Sequence, residues 1–130
     1  MADRTLTLAL MDAPYEAAAS TTAFRIVAAA LERGIRVNVF AYEGAVALTQ
    51  KDQAPHANPV KGTTVEQEEH PTTKDLVAAL LEPRLAWVNC GLCVDERGAG
   101  NVIDGVKRGS PADFFTMAVE STTTLVIPTR

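Results

Sequence analysis

The sequence predicts an α/β fold, a mostly parallel β-sheet covered by helices on both faces. Three observations carry that expectation. Short apolar runs of strand length alternate along the chain with stretches whose apolar residues recur at helical spacing. Glycine and proline punctuate the helical stretches: Gly34 closes the first, Pro83 closes the next, and Gly109-Ser110-Pro111 opens the last. The balance of 47% apolar and 22% charged residues is that of an ordinary globular protein, and 130 residues suffice for one domain with its own core.

Taken in order, Thr5 to Met11 (TLTLALM) reads as a first buried strand ending in the polar turn Asp12-Ala13-Pro14-Tyr15-Glu16, where Pro14 stops any early helix. Ser20 or Thr21 is the expected N-cap of a helix over Ala23 to Arg33, a capping role outweighing a catalytic hydroxyl. Phe24, Val27, Ala28 and Leu31 form its inward stripe. Ile35 to Phe40 is a second strand, and Tyr42 to Leu48 a short helix or helical turn. From Gln50 to Thr73 the composition changes: Pro55, Pro59, Pro71, both histidines and the acidic Glu66, Glu68 and Glu69, with few large apolar residues. That stretch reads as a long mobile surface loop.

Thr73 starts the next helix, with Leu76, Val77, Leu80 and Leu81 facing the core. Leu85 to Asn89 is the third strand, in which Trp87 is core or subunit interface rather than a cofactor platform. Val102 to Val106 reads as a short packed connection. Ser110 as N-cap and Pro111 at the first helical position open a helix whose apolar side is Phe114, Phe115, Met117, Ala118 and Val119. Thr124 to Ile127 is a last strand, stopped by Pro128. Sites in such sheets gather at the carboxyl ends of the strands, where Asp12–Tyr15 and Asn89–Arg97 both fall.

A net charge of −4, with no basic cluster interleaved with aromatics, argues against unaided nucleic-acid binding. No apolar run approaches membrane-spanning length and the N-terminus lacks a signal-peptide segment, so a cytoplasmic protein is expected. Thiols stay reduced there, and Cys90-Gly91-Leu92-Cys93 then reads as reactive or metal-binding before it reads as a structural disulfide. A cysteine between a buried strand and a helix start lies near unpaired N–H groups that favour a thiolate.

Four readings of the pair compete. A persulfide carrier needs a low-pKa, partly accessible thiol and donors for the terminal anion, which Gly91's close-approaching backbone and Arg97 can supply. A thioredoxin-like dithiol fits the spacing, but a thioredoxin carries its motif nearer the start of the chain. Zinc would need ligands beyond the two cysteines, and His56 and His70 lack tight pairing. Two ordinary buried cysteines complete the set. Asp95 fits a dipole-compatible position near a helix start, and Arg97 can pair with it or with a neighbouring subunit.

The wider stretch Cys90-Gly91-Leu92-Cys93-Val94-Asp95-Glu96-Arg97-Gly98, followed by Ile103-Asp104-Gly105-Val106 and Gly109-Ser110, resembles the DsrE/DsrF/TusD-like sulfur-relay family, closest to its YchN-like branch. Ala13-Pro14-Tyr15, the first helix and Thr124-Leu125-Val126 match the same family. The resemblance implies a three-layer α/β/α fold with a parallel, about five-stranded sheet, assembled as trimers or hexamers. In sulfur-carrying members the acceptor cysteine stands eight residues before the glycine of the Arg-Gly pair, and counting back from Gly98 gives Cys90. By that resemblance Cys90 is the catalytic acceptor, with Cys93, matched in the two-cysteine branch, resolving, pairing with or steadying the persulfide. Arg97 joins them as a catalytic candidate for its charge beside the sulfur anion, with a structural ion pair as the equal alternative. Pro14, Tyr15, Gly91 and Asp95 are the candidates for substrate contact. Sulfur-donor and sulfur-acceptor proteins are the expected partners, and neither metal nor organic cofactor is called for. The alternatives are a non-catalytic oligomeric binding module of the same fold and a Cys-x-x-Cys thiol-disulfide protein.

Overall fold

The computed structural model describes residues 3–16, 18–54 and 72–129. Its elements are β1 (Thr5–Leu10), α1 (Ala19–Glu32), β2 (Arg36–Ala41), a 3-10 helix (Glu43–Thr49), α2 (Thr73–Leu80), β3 (Leu85–Cys90), α3 (Gly91–Arg97), β4 (Val106–Gly109), α4 (Pro111–Glu120) and β5 (Thr123–Ile127). The five strands form one sheet in the order β4-β3-β2-β1-β5, and every pairing is parallel.

Register decides which residues share a face. Leu8 lies opposite Val39, and Val39 opposite Trp87. Because side chains alternate across a strand, these three point to the side where α1 packs, and the Phe24 ring stands 6.1 Å from the Trp87 ring. Val77 of α2 is buried on the same core. Thr7, Phe40 and Val88 share the opposite parity. That face is covered by α4, whose Phe114 ring lies 5.4 Å from Phe40 and whose Met117 carbonyl accepts a hydrogen bond from the Thr7 hydroxyl. The outcome is a three-layer α/β/α sandwich.

The chain steps from β1 to β2, β3 and β4 in one direction, then crosses back to place β5 beyond β1. Right-handed crossovers in opposite directions put their helices on opposite faces, so α4 alone lies across the sheet from α1 and α2. The reversal opens a crevice at the carboxyl ends of β1 and β2, beside β5.

Several elements stand where the residue pattern puts them. The Ser110-Pro111 start is one: the Asp113 carboxylate accepts the Ser110 backbone N–H at 2.7 Å in a capping box. Thr73 opens α2, tied back by Gln53, whose amide oxygen accepts the Thr73 hydroxyl at 2.8 Å and the Lys74 N–H at 3.0 Å. Other elements differ. Helix α1 begins at Ala19 with Ala18 as N-cap, and Ser20 is buried in its first turn. Alanine has the strongest helix propensity, so the helix runs past the hydroxyl residues expected to cap it. The connection from Val102 leads into β4, an edge strand with Val106 as its one large apolar residue. An edge strand pairs on one side only and needs no apolar run to be held there. On α4, Phe115 and Val119 are 69% and 66% exposed rather than inward. Most of the expected loop, including His56 and His70, lies outside the described residues.

Candidate functional site

Cys90 is the last residue of β3 and the N-cap of α3; Cys93 follows one turn into that helix. Both thiols are free and buried, 1% and 4% exposed. The partly accessible thiol expected from the sequence is therefore enclosed within this chain, because Cys90 ends a strand in the interior of the sheet.

Arg108, at the end of β4, lies against the turn between the two cysteines. A Cβ at Gly91 would stand 2.7 Å from its Nε and 2.9 Å from its Nη2, so only glycine lets the guanidinium approach so closely. Asp95 holds that guanidinium with two bonds, Nη1–Oδ1 at 2.9 Å and Nη2–Oδ2 at 2.7 Å. These bonds hold the Asp95 carboxyl below the ordinary carboxylate range, and the same partner raises Arg108 further. The fork is thus complete at neutral pH. Its contribution is present above the ordinary aspartate range and is lost as pH falls through the lowered value.

A second donor meets Cys93. The Glu43 backbone N–H points at its Sγ at 3.2 Å. Glu43 has φ of 51°, in the left-handed region that non-glycine residues seldom adopt. Its carboxylate pairs with Arg97 at 2.8 Å. Burial is the largest influence on the Cys93 thiol and pushes its pKa up; a hydrogen bond with the Cys90 thiol adds to that, while the Glu43 N–H pulls it down. The neighbouring Tyr42 phenol is also raised, first by the Glu43 charge and next by Cys93.

Glu43 and Arg97 also line a cleft of about 600 Å³, together with Asp12, Ala13, Glu16 and Tyr42. Its walls come from the loops after β1 and β2, where the chain reversal leaves room. The two loops touch closely, since a Cβ at Gly44 would sit 2.9 Å from that of Ala13. Tyr15, in the first loop, is 67% exposed with φ of 69°, and Pro14 beside it is half-buried.

The fold gathers Cys90, Gly91, Cys93, Asp95 and Arg97 at the start and along the length of α3. It changes the expected pairings. Arg97 reaches Glu43 and Glu96, not Asp95, and Asp95 is spent on Arg108 instead of on a helix start. Arg108 and Glu43 are the two residues that sequence reasoning missed. Arg108 lies just past the stretch that the sequence marks only as a packed connection, and nothing local to Glu43 signals a left-handed residue. Among the described residues, no three His, Cys, Asp or Glu side chains gather as a metal site, and no helix is long and apolar enough to cross a membrane.

Gly91→Ala tests the close approach. The new Cβ meets the far end of a flexible side chain, so Arg108 is expected to swing aside at a cost within about 1 kcal/mol. The Asp95–Arg108 fork should open, which side-chain NMR of the Arg108 Nε–H would detect while thermal melts stay nearly unchanged.

Comparison with known proteins agrees with this architecture. The sequence model of the DsrE/DsrF-like family matches residues 5–127. The uncharacterized protein MJ0989 of Methanocaldococcus jannaschii is 28% identical over 117 residues, covering 88% of this chain and 92% of that protein. The crystal structure of the ychN protein from E. coli superposes with a TM-score of 0.72, covering 95% of this chain and 99% of that one at 19% identity. At that identity the likeness is one of fold.

Proposed function

This chain belongs to the DsrE/DsrF-like family, and from that premise we propose that it is a sulfur-relay protein, taking sulfane sulfur onto Cys90 and handing it to a partner protein. In the uptake step the Cys90 thiolate attacks the terminal sulfur of a donor persulfide. A new S–S bond forms on Cys90, the donor's S–S bond breaks, and the donor cysteine leaves as a thiolate. The observation that carries this reading is the Arg108 guanidinium, packed on Gly91 one residue beyond Cys90. A buried sulfur anion is costly unless a cation or donor compensates it, and the Arg108 guanidinium on the adjoining turn, within electrostatic reach of Cys90, supports that role.

Enclosure of Cys90 implies that the Gly91-Leu92 turn moves when a donor docks. Leu92 is 68% exposed on that turn, which suits a protein surface better than a free organic substrate. Pro14 and Tyr15, which lie in the chain between Ala13 and Glu16 of the cleft lining, are the further contacts this reading assigns to the donor. Exposed Phe115 and Val119 on α4 and Val126 on β5 support assembly of several copies. The setting we propose is cytoplasmic, where the thiols stay reduced. No cofactor enters the step.

Polysulfide treatment followed by intact mass measurement tests the proposal. A gain of one sulfur on the Cys93→Ser chain that disappears when Cys90 is also replaced by serine is the expected result; the absence of any sulfur on both the wild-type chain and its Cys93→Ser variant would overturn it. That outcome would favour a binding module using the 600 Å³ cleft, which neither cysteine lines.

A further inference from the structure

Uptake of sulfur at Cys90 leaves one feature unused: a backbone donor aimed at the other thiol. Glu43 presents its N–H to Cys93 Sγ at 3.2 Å from a left-handed conformation. Two contacts keep it there, the 2.8 Å ion pair with Arg97 and the tight packing of Gly44 on Ala13. Rare conformations of this kind persist only where the surroundings over-determine them, and they cluster at functional sites. Cys93 is nearly fully buried, one helical turn from Cys90. A sulfur atom added to Cys90 would share that enclosure.

We propose that Cys93 is a resolving thiol that discharges a Cys90 persulfide as hydrosulfide, with the Glu43 N–H steadying its anion and Arg97 acting through Glu43 as a positioning residue. This rests on the sulfur-relay reading and adds a second activity to it. In the step, the Cys93 thiolate attacks the Cys90 sulfur. The Cys90–Cys93 disulfide bond forms, the bond from Cys90 to the sulfane sulfur breaks, and that sulfur departs with the electron pair as hydrosulfide after taking one proton. The sulfane sulfur is reduced by two electrons and the two cysteines are oxidised by two. No other oxidant is required, and a low-molecular-weight thiol resets the pair. Transfer to an acceptor protein competes with this discharge.

Burial and the groups facing Cys93 set its pH dependence. Cys90 lies on its own turn, and Glu43 and Tyr42 face it from the segment after β2. Burial raises the Cys93 thiol first of all, so its thiolate is a minor form at neutral pH and discharge should accelerate as pH rises.

The test follows full-length protein loaded with polysulfide and freed of excess reagent. Wild type is expected to release hydrosulfide and end as a disulfide by intact mass, whereas Cys93→Ser keeps its added sulfur. Wild type that holds the added sulfur without releasing hydrosulfide overturns the proposal and leaves the relay standing. Failure of both proteins to acquire sulfur overturns both. Arg97→Ala should slow release about tenfold or more, the worth of a hydrogen bond to a charged group. In a Cys90→Ser background it should also raise the pH midpoint of Cys93 alkylation, with Arg97→Lys restoring it. A midpoint that stays put in Arg97→Ala removes the positioning role.

Discussion

Trp87→Ala is expected to cost about 3–5 kcal/mol of unfolding free energy, the usual range for deleting a buried aromatic. Trp87 is fully buried and is among the largest side chains of the core. It stands in β3 with β2 hydrogen-bonded on one side and β4 on the other, and Phe24 of α1 packs over it. Strands held by ladders on both edges cannot close in on a void, so most of the cavity would remain. Among the described residues the indole N–H meets no acceptor. The loss is therefore one of packing, and Trp87→Phe should cost much less. Denaturant unfolding would check this through a lowered midpoint at unchanged slope. A midpoint for Trp87→Ala close to that of wild type would contradict the packing described here.

Gly109→Ala should be the most damaging of the small substitutions. Its Cβ would lie 2.6 Å from Val88 Cγ1 and 2.9 Å from Asp113 Oδ2, distances that real Cβ atoms do not reach. Val88 is an interior residue of β3, and the Asp113 carboxylate is occupied by the Ser110 N–H. Neither can retreat without loss. Crowding of this kind costs about 1–3 kcal/mol, and about 1 kcal/mol more if the cap opens. Gly109 also pairs with Cys90 in the sheet register and follows Arg108. Separation of β4 from β3 would move the guanidinium away from the Gly91 turn. Reduced protection of the β4 amides in hydrogen exchange, a lower denaturation midpoint and weaker sulfur uptake should appear together; uptake lost without any change in β4 protection would contradict this account.

Much of the site was legible in the chain because its parts are neighbours in sequence. Cys90, Gly91, Cys93, Asp95 and Arg97 fall on one strand end and one short helix, and the cysteine spacing alone places the two thiols one turn apart. What those residues touch was not legible. Arg108 reaches Asp95 across 13 positions, and Glu43 reaches Cys93 across 50. Such contacts depend on how β4 and the segment after β2 are placed, which no local spacing encodes.

By itself the sequence determined the order and kind of most elements. Apolar periodicity separates strands from helices, and residues such as Ser110, Pro111, Gly34 and Pro83 act on the chain within a few positions. Only the tertiary structure decided that Val106–Gly109 is a strand, that α1 starts before its hydroxyl residues, and that Arg97 serves Glu43 while Arg108 serves the cysteine turn. The physical reason is the same in each case. An edge strand is made by the neighbour it pairs with, and a charge on the surface takes whichever opposite charge the packed sheet brings within reach.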